Sequence, residues 1–336
     1  FMSLSGVYDP RDGNGWDDDE TDEGDWETTG QCGSGSVAQN SSWHGSHVAG
    51  IIAAESNNNL GIAGINPRAK VQHIRVLGTC GGSTSDEAAA IRWAAGLAVA
   101  GVPINPTPAD VINLSLGGPG PCTSAEQQAI DAATKAGSIV VVAAGNDTLD
   151  LDVSSYSPDS CTSVITVAAV ETNGSRLFLN NSTASNYGSK VEIAAPGRNV
   201  ISTMNTGTTT STSSWNYLGK TGTSMATPTV AGVVSLMLSH DNTLNLIQII
   251  KLLQETASPF PAGSTCSSNI AATNYCGPGI VNAGAVMQSL VSVVPLDTLE
   301  TFRPQRVLDT RDGTGGVPIA RVGNTNGTTP DLAFTI

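Results

Sequence analysis

Aromatic residues make up only 4% of this 336-residue chain, and positive charge is short: 15 Lys and Arg stand against 29 Asp and Glu, a net charge of −14. A surface so acidic excludes nucleic acid and anionic membranes as natural partners. No apolar run approaches the ~18 residues of a helical membrane span. The opening "FMSLSGVYDP" has neither the basic start nor the apolar core of a signal peptide, so the chain is expected to be a mature form or a fragment. The six cysteines, Cys32, Cys80, Cys122, Cys161, Cys266 and Cys276, form no CxxC pair, and no histidine stands at metal-ligand spacing from them.

What is present is small and apolar. With 39% hydrophobic residues, the chain can bury one large core, with room for an appendage. Abundant Gly, Ala, Ser, Thr and Asn suit a tightly packed, loop-rich protein. An even cysteine count without metal spacing favours disulfides and an oxidising compartment. Cys266 and Cys276 flank a short loop and form the most direct pair. The acidity is local: residues 1–30 hold ten Asp or Glu against one Arg.

Short β-branched runs alternate with helix-like stretches. The strand candidates are 70–78, 111–118, 138–146, 163–170 and 191–196; the helices are 47–55, 85–101, 124–137 and the apolar run 229–238. Thr84 with Glu87 and Ser124 with Gln127 give capping-box signatures at two helix starts. Strands apolar on both faces, alternating with helices, predict an α/β fold whose parallel sheet is covered on both sides. Near residue 292 helical periodicity gives way to Arg, Asp and turn pairs, which predicts a main domain over 1–290 and a partial β-rich extension over 292–336.

One short stretch carries the first chemical signal. "GKTGTSMATP", residues 219–228, sets Ser224 among small residues directly ahead of the apolar helix. A lone serine there reads as an ordinary N-cap. The alternative is a nucleophile whose helix N-terminus would offer N–H groups to an oxyanion. The neighbouring "GKT" lacks the glycine a phosphate loop needs, and no G-x-S-x-G surrounds Ser224. Of four histidines, His73 falls in a strand as a packed core residue and His240 suits a helix C-terminus. His44 and His47, in "SSWHGSHVAG", lack the intervening Glu of a zinc protease motif, which leaves one of them as candidate base. "VVVAAGN" ends a buried strand in Asn146, either a turn residue or an amide at the ligand-binding edge of the sheet.

Four motifs in order, "HGSHVAG", "INLSLGG", "VVAAGN" and "GTSMATP", resemble the subtilisin-like serine peptidases over about residues 30–290. The resemblance implies a three-layer α/β fold with a mostly parallel central sheet flanked by helices, and a secreted, disulfide-bonded endopeptidase. It implies His44 as base, His47 as a structural residue, Ser224 as nucleophile and Asn146 as oxyanion donor. Ser115, Leu116 and Gly117 would form a wall of the primary specificity pocket, with "CGGST" opposite. "ESNNNLGIAG" resembles a structural calcium loop, with Asn58 through its side chain and Leu60 and Ile62 through backbone oxygens as ligands. Implied partners are polypeptide substrates and a propeptide outside this chain, with the enzyme a monomer. Ser46 and Thr229 depart from the usual threonine and histidine. For the outer four cysteines the pairing adopted is Cys32–Cys80 with Cys122–Cys161, which the sequence does not decide.

The aspartate is where the pattern breaks. The family order is Asp, His, Ser, and counting back about 30 residues from His44 reaches Asp12, inside "DPRDGNGWDDDETDEGDW" rather than at the end of an apolar strand. This predicts that the triad aspartate lies upstream of Phe1, against the alternative of an Asp within 9–25. The acidic loop is read as solvated; Asp12, Asp17, Asp22 and Asp25 match no EF-hand spacing. Two rivals to the peptidase remain: a catalytically impaired binding or adhesion module on the same fold, and a different serine hydrolase such as an esterase or acyl transferase.

Overall fold

In a computed structural model, the described residues are Tyr8, Arg11, 21–269 and 274–291, together with the backbone of 331–335. The elements in chain order are α1 (His44–Ala53), β1 (Lys70–Ile74), α2 (Thr84–Ala94), β2 (Val111–Leu114), β3 (Gly118–Pro119), α3 (Ser124–Ala136), β4 (Ile139–Ala143) and β5 (Tyr156–Ser157). There follow β6 (Ile165–Val170), β7 (Ile193–Pro196), β8 (Val200–Asn205), β9 (Trp215–Lys220), α4 (Thr223–His240), α5 (Leu246–Glu255), α6 (Ala283–Val291) and β10 (Asp331–Thr335).

The β-branched runs become a parallel sheet in the order β2-β4-β6-β7. Because alternate residues of a strand face opposite sides, each central strand feeds two cores. Val111, Ile139 and Val141 pack with α1 and α4 on one face. Ile112, Leu114, Val140 and Val142 pack with α2 and α3 on the other. This is the expected three-layer architecture, and the continuous burial of β2, β4 and β6 follows from it.

Helix α4 crosses the middle of one face. Val230, Val233, Val234, Met237 and Leu238 are all buried, each contributing about 1.5–3 kcal/mol on removal from water. The helix caps stand one residue ahead of the expected places. Ser83 rather than Thr84 caps α2, accepting from the Asp86 N–H at 3.1 Å. Thr123 and Glu126, not Ser124 and Gln127, form the capping box of α3. In both cases the cap hydroxyl lies outside the first helical residue, where its extended backbone turns it onto the freed N–H groups.

Other differences are instructive. Helix α1 starts at His44, not at 47, on the left-handed Trp43 (φ 46°), whose indole N–H donates to Gly207 O at 2.6 Å. His73 lies in β1 as expected but is exposed rather than packed in the core. The antiparallel β8–β9 hairpin is mostly exposed on β9 and carried no apolar signal. All three disulfides, Cys32–Cys80, Cys122–Cys161 and Cys266–Cys276, are formed, and no cysteine is free. Of the segment 292–336, only β10 lies within the described residues; its backbone pairs in parallel with β1 and runs alongside β2.

Candidate active site

Gly222 is the pivot of the site. It precedes α4 at φ 152° and ψ 171°, a backbone region essentially closed to other residues. From that turn Thr223 and Ser224 become the first two helical residues, so Ser224 is not the cap: its N–H is one of the leading donors that no helical carbonyl can accept. The Ser224 hydroxyl donates to Ser115 O at 3.1 Å.

The Ser224 carbonyl has an unusual partner. Pro228, four residues on, lacks the N–H that would normally bond it. The Ser115 hydroxyl donates there instead, at 2.9 Å, and in turn accepts from Asn113 Nδ2 at 2.9 Å. The start of α4 is thus tied by two reciprocal bonds to the C-terminal end of β2. Sequence reading placed Ser115 in a substrate wall; the structure adds this bracing contact, which Pro228 in "SMATP" could have signalled. Asn113, buried on β2, carried no signal of its own.

Asn146 stands at the end of β4. Its Oδ1 accepts from Thr223 N at 3.0 Å and from the Thr223 hydroxyl at 3.2 Å, which turns its amide donor the other way. A Cβ placed on Gly222 would lie 3.7 Å from Asn146 Nδ2 and 3.8 Å from Ser224 N. Asn146 Oδ1 is nearer still, at 3.5 Å, so the Asn146 amide group and the Ser224 N–H, two groups of independent origin, flank the same Gly222 turn.

His44 is differently placed. Helix α1 packs against α4, but the Ser224 hydroxyl bonds Ser115 O, and no bond joins it to the His44 ring among the described residues. Burial first, then the charges of Lys220 and His47, bring the His44 pKa down to about 4, against an opposing pull from Asp25. Asp25 spends its carboxylate on Ser42, accepting from the backbone N–H and the hydroxyl, both at 2.6 Å. Among the described acidic-loop residues it is the one carboxylate that acts on His44. His47 is fully buried and its Nε2 meets Leu218 O at 2.9 Å, a structural role.

The residues read as a pocket wall and as a metal loop are placed as follows. Leu116 is partly buried and Gly117 exposed. The ring of Tyr156 lies against both Gly117 and Gly145: a Cβ at either would come within 2.7 Å of Tyr156 Cε1. Tyr156 therefore fills the gap between the loops that follow β2 and β4, a residue that the sequence motifs did not indicate. In the loop 55–64, Asn58 Oδ1 already accepts from Leu60 N at 3.0 Å. With the backbone oxygens of Leu60 and Ile62 it supplies three neutral donors, half or fewer of the six to eight oxygens Ca²⁺ takes. Glu27, Cys32 and Cys80 lie within 4.8 Å of one another, yet both sulfurs are locked in a disulfide and offer no thiolate to a metal.

Known proteins carry the same pattern: the sequence matches the Subtilase family over residues 4–287. The chain belongs to the subtilase family. An extracellular protease of Xanthomonas campestris is 46% identical over 290 residues, covering 86% of this subtilase chain and 47% of its own length. An extracellular basic protease of Dichelobacter nodosus is 38% identical, with 96% and 55% covered. The chain thus spans about half the length of these curated relatives. A solved protease structure from Pseudoalteromonas arctica superposes with a TM-score of 0.75 at 45% identity, over 83% of this subtilase and 80% of that chain.

Proposed function

We propose that this subtilase is a serine endopeptidase that cleaves polypeptides outside the cell through an acyl-enzyme. His44 takes the Ser224 proton, Ser224 attacks the scissile carbonyl, and the Asn146 amide with the Ser224 N–H receives the oxyanion. Water then releases the acyl group, with His44 again the base. The observation that carries this reading is the Gly222 turn, flanked by the Asn146 amide group and the Ser224 N–H. The low His44 pKa keeps the imidazole neutral, the form a base needs, and apo hydrogen bonds of this kind commonly tighten only on substrate.

The extracellular setting is supported by the relatives and by three disulfides. No described helix is long and apolar enough to cross a membrane. A propeptide as folding partner and a monomeric enzyme belong to the same reading. So does calcium at the Asn58 loop, where water and neighbouring carbonyls would complete the shell; EDTA is expected to lower Tm by some degrees, and an unchanged Tm removes the ion. The domain reading is also kept: a peptidase unit over 1–290, with 292–336 an extension whose described strand, β10, pairs with β1.

Intact mass after incubation with a fluorophosphonate tests the assignment. One adduct, absent from Ser224→Ala, is expected. A folded chain with no adduct would favour the second reading, an impaired binding module; among the described residues no carboxylate hydrogen-bonds the His44 ring. Faster turnover of a simple ester than of denatured protein would point instead to an esterase.

A further inference from the structure

We propose that Glu87 and Glu126 form a cation-accepting subsite of the peptide groove, which selects a lysine or arginine on the acyl side of the scissile bond. The proposal rests on the peptidase reading above.

Placement comes first. The loops 75–83 and 115–123 leave the C-terminal ends of β1 and β2 and lead into α2 and α3. The first turns of both helices therefore stand at the same sheet edge as Ser115 and Ser224, and the two helices pack side by side. Glu87 is in the first turn of α2 and Glu126 in the first turn of α3. Leu116, one residue beyond the brace on Ser224, packs on the same cluster as Ala88, Ile91 and Ile130.

The two carboxylates are not equally served. Glu126 is fully buried; its Oε2 accepts from Thr123 N and its Oε1 from the Ser157 hydroxyl, both at 2.8 Å. Glu87 is 8% exposed, and its Oε1 is sealed from water without a partner. Burial, then the neighbouring Glu126, push its pKa up to about 8. Neither residue belongs to any ion pair among the described residues. A buried carboxyl oxygen without a donor is costly; Glu87 Oε1 is that oxygen, and a cation arriving beside the already hydrogen-bonded Glu126 would supply its missing partner and draw off its proton.

A peptide supplies one. Bound as an added strand, it presents alternate side chains to one wall at ~3.3 Å per residue. The residue before the cut lies at Ser115–Gly117 in the proposed groove. Continuing along that wall leads to β3, which pairs with β5 and so with Ser157, the partner of Glu126. The long stem of Lys or Arg crosses the apolar Leu116 side and delivers its charge between the two carboxylates.

Equilibrium binding to Ser224→Ala protein tests this without requiring turnover. Fluorescent peptides carrying Lys, norleucine or Glu at each of four positions before the cut are titrated and followed by anisotropy. At one position Lys should bind at least about tenfold tighter than norleucine, with Glu weakest. Adding Glu87→Gln, or separately Glu87→Leu, should bring the Lys-to-norleucine affinity ratio at that position down to about one or below. Equal binding of Lys and norleucine at every position overturns the subsite alone, as does a preference that survives both variants. Failure of all peptides to bind overturns the groove reading and this proposal with it.

Discussion

The two halves of the candidate site are held in opposite ways. Around Ser224 most polar groups are held by direct hydrogen bonds: Thr223 by Asn146, the Ser224 hydroxyl and carbonyl by Ser115, and Ser115 by Asn113. Around His44 the partners are long-range charges, Lys220 lowering its pKa and Asp25 raising it. The first half is built from strand ends and a helix start already fixed by burial. The second relies on α1, set on a strained Trp43, and, among the described residues, on the carboxylate of Asp25, which is occupied by Ser42. Backbone-built sites come with the fold, whereas a charge relay needs each of its members placed separately.

The largest expected effect removes the nucleophile. Ser224→Ala should lose about 10⁶ in kcat, read by active-site titration; any smaller loss would mean that another group attacks. Next, Asn146→Ala should cost about 10²–10³ in kcat with little change in KM; a purely KM effect would remove the oxyanion role. By comparison, the family's triad aspartate is worth about 10⁴ in kcat, a general figure established partly on subtilisins.

Ser115→Ala strands the Ser224 carbonyl that Pro228 leaves open, at a cost of about 1–3 kcal/mol. A Tm a few degrees lower is expected in calorimetry, and an unchanged Tm would mean water replaces the hydroxyl. The smallest effects test the charged half. As the base must be neutral, kcat/KM falls when pH drops through the His44 pKa, about 4 in the free protein. Lys220→Met removes a cation that lowers this pKa, so the acid limb should move up. Asp25→Asn removes the opposing charge and should move it down. Shifts in the same direction would break the electrostatic account.

Much of the first half was legible in the sequence. Apolar runs marked the buried strands because each is covered on both faces, and "GTSMATP" and "AAGN" fall at strand and helix ends where chemistry is exposed. What escaped was long-range or local in geometry. Tyr156 acts through neighbours distant in sequence, Ser115 through a carbonyl that a proline sets free, and Asn113 only by holding Ser115, two residues on. The caps shifted by one residue because hydroxyls stand in succession at both helix starts, and only backbone angles decide between them. His73 looked like a core residue because Val71 and Ile74 of its strand are apolar, although its own side chain is exposed.

The disulfides bear on a hazard peculiar to proteases, which work in the company of their own copies. Cys32–Cys80 and Cys122–Cys161 close stretches 48 and 39 residues apart in sequence, the first containing His44 and the second the whole of α3 and β4 with Asn146. A single self-inflicted nick inside either stretch leaves both new ends tethered to the same molecule. The severed loop is held close enough to re-dock, so one cut does not shed His44 or Asn146, and in the proposed peptidase inactivation by self-digestion needs a second event.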